Sequence, residues 1–262
     1  MKLAARVEGV GLVGPGLTSW EAARPILAGS APYTAQATVV PSPEVLPATE
    51  RRRAGKCVRL ALGAGLAAAA SAGRPAKELA AIFCSSTGDG ENLHAICEAL
   101  ASDDRLISPT RFHNSVHNAP AGYWGIATGS MAGADSLANY DGSFAAGLLE
   151  AAGRLAQRPG EAVLIVAYEA PYPEPLNALR PFAESFAVAL VLTADAARGT
   201  PITVETTREP AQAMQSPALE PLRRGVPAAR SLPLLERLAR NSPGRVVIEY
   251  LDGLALAVDV GA

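Results

Sequence analysis

The chain is poor in the residues that bind metals and in the runs that cross membranes. Its 262 residues include three cysteines, Cys57, Cys84 and Cys97, and three histidines, His94, His113 and His117. The cysteines are odd in number and lack the paired spacing of a zinc site. Reduced, mostly buried thiols are expected, not a disulfide framework. His113 and His117 stand four apart, but no H-E-x-x-H pattern surrounds them, and Pro109 and Pro120 flank a loop-like stretch. Packing or hydrogen bonding is their expected role, with no metal and no cofactor. No apolar run approaches the ~20 residues that a bilayer crossing takes, and the longest small-apolar stretch, 60–73, is broken by glycine. The opening residues MKLAARVEG contain no run of the signal-peptide kind, so a cytoplasmic location without a membrane partner is expected. Charged residues make up 18% of the chain and the formal net charge is −2, which gives nucleic acid no bulk attraction. Two local clusters, Arg51-Arg52-Arg53 and Arg223-Arg224, read first as solvated helix ends, although an acidic carrier protein could use one.

What the chain has is apolar mass. At 49% hydrophobic residues it can build a sizeable core, and disorder is not expected. Residues 7–13 read as a first strand, and Thr18 or Ser19 as the cap of a helix through Leu27. Residues 29–49, rich in Pro, Ser and Thr, read as an irregular excursion. Residues 51–72 have helical spacing and very small side chains, so that helix can be closely buried. Strands are expected at 79–85, 134–140, 162–168 and 186–193, and helices at 92–102, 120–129 and 143–157. Beyond Gly199 the pattern thins to a strand at 202–206, a helix at 232–240 and a hairpin around Asp252-Gly253. Strands alternating with helices predict an α/β fold with a mainly parallel, helix-covered sheet. A single domain over 1–262 is expected.

Four segments, in this order and spacing, carry a resemblance. RRRAGKCVRLALGAGLAAAASAG (51–73) precedes FCSSTGDGENL (83–93). NAPAGYWGIATG (118–129) leads on to SLANYDGSFAAGLLEAA (136–152). They resemble an early helix, a Gly-rich turn, an interface helix of the N-x-A-A-G-Y kind, and a strand–turn–helix elbow of β-ketoacyl synthases. The similar subgroup is that of the short ketosynthase-like chain length factors that accompany ketosynthases in aryl polyene (xanthomonadin-type) pathways. The resemblance implies a thiolase-like layered α/β/α fold, in which two halves stack their sheets around central helices. It implies a complete first half, about 1–198, and an abbreviated second half, about 199–262.

The departures from that family shape the expected function. The family places a nucleophilic Cys at the elbow; this chain has Asp141. Family histidines that activate the malonyl donor come from the second half, whereas His94, His113 and His117 all precede Asp141, and the G-H-T-x-G-A segment is missing. The resemblance therefore implies no catalytic residue in this chain. It implies a subunit that pairs with a catalytic β-ketoacyl synthase and shapes its acyl tunnel, with an acyl carrier protein as a further partner. The carry-over puts Arg111, Phe112 and His113 beside the partner's tunnel, with Asp89 on the neighbouring Gly turn. The interface would be built from 118–129, including Asn118, Tyr123 and Trp124, and from the strand 136–140.

Asp141 has readings that the residues alone leave open. The plain one is a helix cap, accepting backbone N–H bonds near the positive end of the dipole. The sharper one is a carboxylate that fills the vacated nucleophile pocket and holds the elbow closed. A third makes it a nucleophile or base, in a thioesterase or acyltransferase with Ser143 or a histidine. Ser143 does not fit G-x-S-x-G and reads as a second cap. Cys84 ends a strand before a Gly turn and reads as a buried, inert thiol.

Overall fold

The computed structural model describes residues 1–182 and 184–261. The strands are β1 Leu3–Val13, β2 Ala80–Cys84, β3 Ala134–Leu137, β4 Ala162–Glu169, β5 Phe186–Thr193, β6 Thr200–Thr207, β7 Gly244–Leu251 and β8 Leu254–Val260. The helices are α1 Trp20–Leu27, α2 Ala48–Arg53, α3 Lys56–Ala72, α4 Gly90–Ala101, α5 Pro109–Asn114, α6 Ala119–Thr128, α7 Ser143–Gln157, α8 Leu176–Leu179, α9 Glu220–Gly225 and α10 Leu232–Ala239. Ser19 caps α1, its hydroxyl accepting from the Ala22 N–H at 3.2 Å.

The strands form one sheet in the order β3-β2-β4-β5-β1-β6-β8-β7. β5 explains the apolar run at 186–193. Phe186, Val188, Leu190 and Leu192 face a core shared with α1, α7 and α10, while Ala187, Ala189 and Val191 face a second core with α3 and α6. A strand buried on both faces shows no alternation. Helices on both faces make the layered α/β/α arrangement. The expected close burial of the small-residue helix is present: α3 lies so close to β1 that a Cβ on Gly11 would stand 2.0 Å from the Ala64 carbonyl oxygen.

Four expectations change. The sheet is not mainly parallel: β2 pairs in parallel with β3 and β4, and the other five pairings are antiparallel. A parallel link needs a crossover of a dozen or more residues, usually helical. Among its described residues the β4–β5 link carries only the four-residue α8, and β7–β8 is a tight hairpin about Asp252-Gly253. The strands after residue 199 extend this same sheet; they do not stack as a second one. The helix expected over 51–72 is two, α2 and α3, broken where Gly55 turns extended against the Asp89 carboxylate. The loop-like stretch 109–120 contains α5, started by Pro109 at its first turn and capped by Ser108, which accepts from the Arg111 N–H.

Candidate functional site

The site grows from the elbow between β3 and α7. β3 ends at Leu137, and a short turn, Tyr140–Gly142, feeds α7. Tyr140 takes the left-handed φ of 48°, which costs a non-glycine residue of order 1–3 kcal/mol unless its surroundings fix it. Ser143 supplies part of that fixing. Its hydroxyl donates to the Tyr140 carbonyl at 2.7 Å and accepts from the Asn139 N–H at 3.0 Å. Gly142 is pressed against the Tyr250 carbonyl of β7, which a Cβ would meet at 2.0 Å. The Arg180 guanidinium covers the Tyr140 ring at 3.6 Å.

Asp141 is held by two arginines. Its Oδ1 accepts from Arg180 at 2.5 Å and its Oδ2 from Arg230 at 2.8 Å. Arg230 continues to Glu249 at 2.8 Å, Glu249 to Arg223 at 3.3 Å, and Arg223 grips Glu220 with a two-toothed pair at 2.8 and 2.7 Å. That grip holds the Glu220 carboxyl down at about 2. Three guanidiniums alternate with three carboxylates, so the chain of pairs is neutral as a whole. The cap reading of Asp141 is overturned: α7 starts from Gly142 without a side-chain cap, and both Asp141 oxygens point at guanidiniums. Ser143 is likewise no cap of α7, since it is itself the first helical residue and bonds backward to the turn. Neither residue has a histidine among its hydrogen-bond partners. His117 Nε2 lies 3.2 Å from the Ser85 carbonyl, His113 meets the Tyr123 ring edge-on, and His94 pairs with Glu98.

Behind the elbow, Glu169 ends β4 with 2% exposure. It accepts from the Ser86 N–H at 2.6 Å and the Ser86 hydroxyl at 2.9 Å. Burial pushes its carboxyl up to about 7, against the pull of the Ser86 bonds and of Arg180; the Asp141 charge adds to the rise. Cys84, also buried, is raised to about 12 by desolvation first and by Glu169 second, which makes it a poor nucleophile. Cys57 is buried and Cys97 exposed. In front of the elbow an open groove of about 620 Å³ is lined by 139–142, 208–211, Arg230 and 249–255.

The carried-over residues lie elsewhere. Asp89 caps α4 by accepting from the Asn92 N–H at 3.1 Å, and burial raises its carboxyl. Arg111, Phe112 and His113 stand exposed on α5, with Phe112 at 63%. Asn118 precedes α6 and is exposed, whereas Tyr123 and Trp124 are 1% exposed and belong to the core beneath α6, with Trp124 edge-on to Phe83 at 6.2 Å. On α6 it is Ile126, 48% exposed, that faces outward. Leu93, Leu100, Leu106 and Val116 add further exposed apolar surface on or beside α4 and α5. β3 forms one edge of the sheet. Sequence reasoning missed Arg180, Arg230, Glu249, Glu169 and Tyr172. Glu169 alone left a local mark, a carboxylate ending an apolar strand; the arginines lie 39 and 89 residues beyond Asp141.

Residues 26–246 match the family described as Beta-ketoacyl synthase, N-terminal domain. No curated protein matches the chain. Among solved structures, the chain is similar to the ketosynthase ApeO in complex with its chain length factor ApeC from Xenorhabdus doucetiae, at 24% identity and TM-score 0.74, over 98% of this chain and 99% of that one. It is similar to the ishigamide ketosynthase/chain length factor at 15% identity and TM-score 0.72, over 98% and 99%. It also resembles AntDE:AntF, a type II polyketide acyl-carrier protein in complex with its ketosynthase, at 13% identity and TM-score 0.75, over the full length of both. At these identities the likeness establishes the shared fold. Among the described residues no helix is long and apolar enough to cross a membrane.

Proposed function

The chain belongs to the β-ketoacyl synthase N-terminal domain family, and from that premise we propose that it is a non-catalytic member, a chain length factor that heterodimerises with an active β-ketoacyl synthase and shapes its acyl tunnel. The observation that carries the reading is Asp141. At the elbow where the family keeps a nucleophilic Cys stands a carboxylate whose two oxygens are each occupied by a guanidinium. A carboxylate cannot take an acyl chain from a carrier thioester and return it as a thiol does. No histidine follows it to decarboxylate a malonyl donor. The same facts leave the thioesterase or acyltransferase alternative, with Asp141 and Ser143, lacking a general base.

Two features suit a partner subunit. β3 offers a sheet edge with α6 packed beside it, and α5 and α6 carry exposed Phe112 and Ile126. In this reading α6 and the stretch 136–140 form the interface, and Asn118 sits at its rim. Arg111, Phe112 and His113 reach the partner's tunnel, with Asp89 setting the adjoining turn. Tyr123 and Trp124 act from within, fixing the tilt of α6 from the core. The assembly works in the cytoplasm on a growing polyene, polyketide or fatty-acid-like chain, aryl polyene pathways being the class proposed, and meets an acyl carrier protein. The test is condensation by the purified chain alone against condensation with its ketosynthase. The alone sample is expected to be inactive, and Phe112→Ala in the complex should lengthen the products. Condensation by the chain alone would refute the reading.

A further inference from the structure

Glu169 has no task in the reading above, yet it is wired to the elbow. Its carboxylate takes both the N–H and the hydroxyl of Ser86. The Ser86 hydroxyl lies 3.2 Å from the Tyr172 hydroxyl, which is also 2.8 Å from Thr87 Oγ1. Arg180 donates to the same Tyr172 oxygen at 3.4 Å with one nitrogen, while the other holds Asp141.

A hydroxyl has one proton, so the ends of such a chain set its direction. When Glu169 is ionised, Ser86 donates to it, the Ser86 oxygen accepts from Tyr172, and the Tyr172 oxygen accepts from Arg180 and Thr87. When Glu169 is protonated it donates to Ser86, Ser86 turns its proton to Tyr172, and Tyr172 turns its own to Thr87. Both orders satisfy Glu169, Ser86 and Tyr172, the exposed Thr87 hydroxyl turning its proton to solvent in the second, which makes the chain a two-state element.

We propose that Glu169, Arg180 and Asp141 act as one titrating unit, in which ionisation of Glu169 draws Arg180 inward along Tyr172 and loosens its grip on the elbow. The charged and titratable groups around Glu169 are few. Cys84 comes from β2, Tyr168 from its own strand, Tyr172 and Arg180 from the segment that follows, and Asp141 from the elbow with Arg230 behind it. His117 reaches the Ser85 carbonyl from the stretch before α6, and Cys57 and Asp89 stand farther out. Desolvation raises both thiols and the Tyr168 hydroxyl, so they stay neutral and leave Arg180 and Asp141 as the nearby charges. Burial places the midpoint of Glu169 at about 7, where the unit responds to pH around neutrality. The inference extends the elbow reading to its regulation.

The test is carbon-13 NMR of glutamate side-chain carboxyls in the purified full chain, titrated from mildly acidic to mildly alkaline pH. One carboxyl should titrate near neutrality and be missing from Glu169→Gln. Its midpoint should fall in Asp141→Asn and rise in Arg180→Gln, because Asp141 raises and Arg180 lowers it. Tyr172→Phe, which cuts the chain but keeps the charges, should also raise it. Midpoints that ignore all three substitutions, or no carboxyl titrating near neutrality, would overturn the proposal. Should Glu169→Gln fail to fold, the pH dependence of unfolding in the other variants reads the same midpoints. The titration needs no ketosynthase. Absent coupling would leave the subunit reading standing, and failure to bind a ketosynthase would leave the coupling standing.

Discussion

At the scale of single residues, Asp141 separates two physical roles that its position alone does not. An N-cap tolerates Asp and Asn about equally. A carboxylate clamped by two guanidiniums does not, because the amide loses the charge both arginines need. Asp141→Asn should therefore cost nearly as much as Asp141→Ala, about 1–3 kcal/mol for lost charged hydrogen bonds, with the lower end favoured because the side chain is 33% exposed. Denaturant unfolding of both variants checks this; an unaffected Asn variant would restore the cap. Glu169 gives a pH prediction. Its folded value, about 7, lies above the unfolded value near 4.3, so between these the folded chain holds a proton that the unfolded chain has lost. The stability this contributes is complete below about pH 4.3. It declines as pH rises to about 7 and is gone above, a span of roughly 4 kcal/mol. Wild type minus Glu169→Gln, followed by thermal unfolding across pH, should trace that decline. The Asp at the elbow and the lack of later histidines were readable in the sequence. The clamp was not, because its arginines come from remote segments with no periodic or motif signature.

At the scale of elements, the readable parts were those in which one local pattern dominates. α7 announced itself by apolar Phe144, Leu148, Leu149, Ala152 and Leu155, all buried except the half-buried Leu149. The Asp252-Gly253 turn marked its hairpin, and Thr18-Ser19 marked the start of α1, where Ser19 is the cap. The break between α2 and α3 escaped notice because helical spacing runs on through it; the cause is Gly55 seated against Asp89, a tertiary contact. α5 escaped because prolines were read as loop markers, although Pro109 at a first helical turn favours a start. The α3–β1 contact makes its own prediction. A methyl on Gly11 would collide with the Ala64 backbone at 2.0 Å, and neither the strand nor the long helix can give way. Gly11→Ala should destabilise by about 3 kcal/mol or more, seen as a large fall in melting temperature or as loss of soluble protein. A near-neutral Gly11→Ala would mean α3 sits farther from the sheet.

At the scale of the whole molecule, the α/β class and the helices on both faces followed from alternating elements, but strand direction did not. Direction depends on whether each link carries a helix that crosses the sheet, and among its described residues the β4–β5 link holds only the four-residue α8. The late strands joining the first sheet was equally invisible, since β6 borders β1 from nearly two hundred residues away. What the molecule leaves exposed bears on its proposed place in an assembly: the β3 edge and the apolar side chains of α4, α5 and α6. Substituting Ile126 with Asp should weaken association with a ketosynthase while leaving the melting temperature of the isolated chain nearly unchanged, because Ile126 is 48% exposed. The most direct measurement is the mass of the assembly purified after co-expression with a catalytically active, full-length β-ketoacyl synthase. The account predicts a one-to-one complex; two species that separate would contradict it.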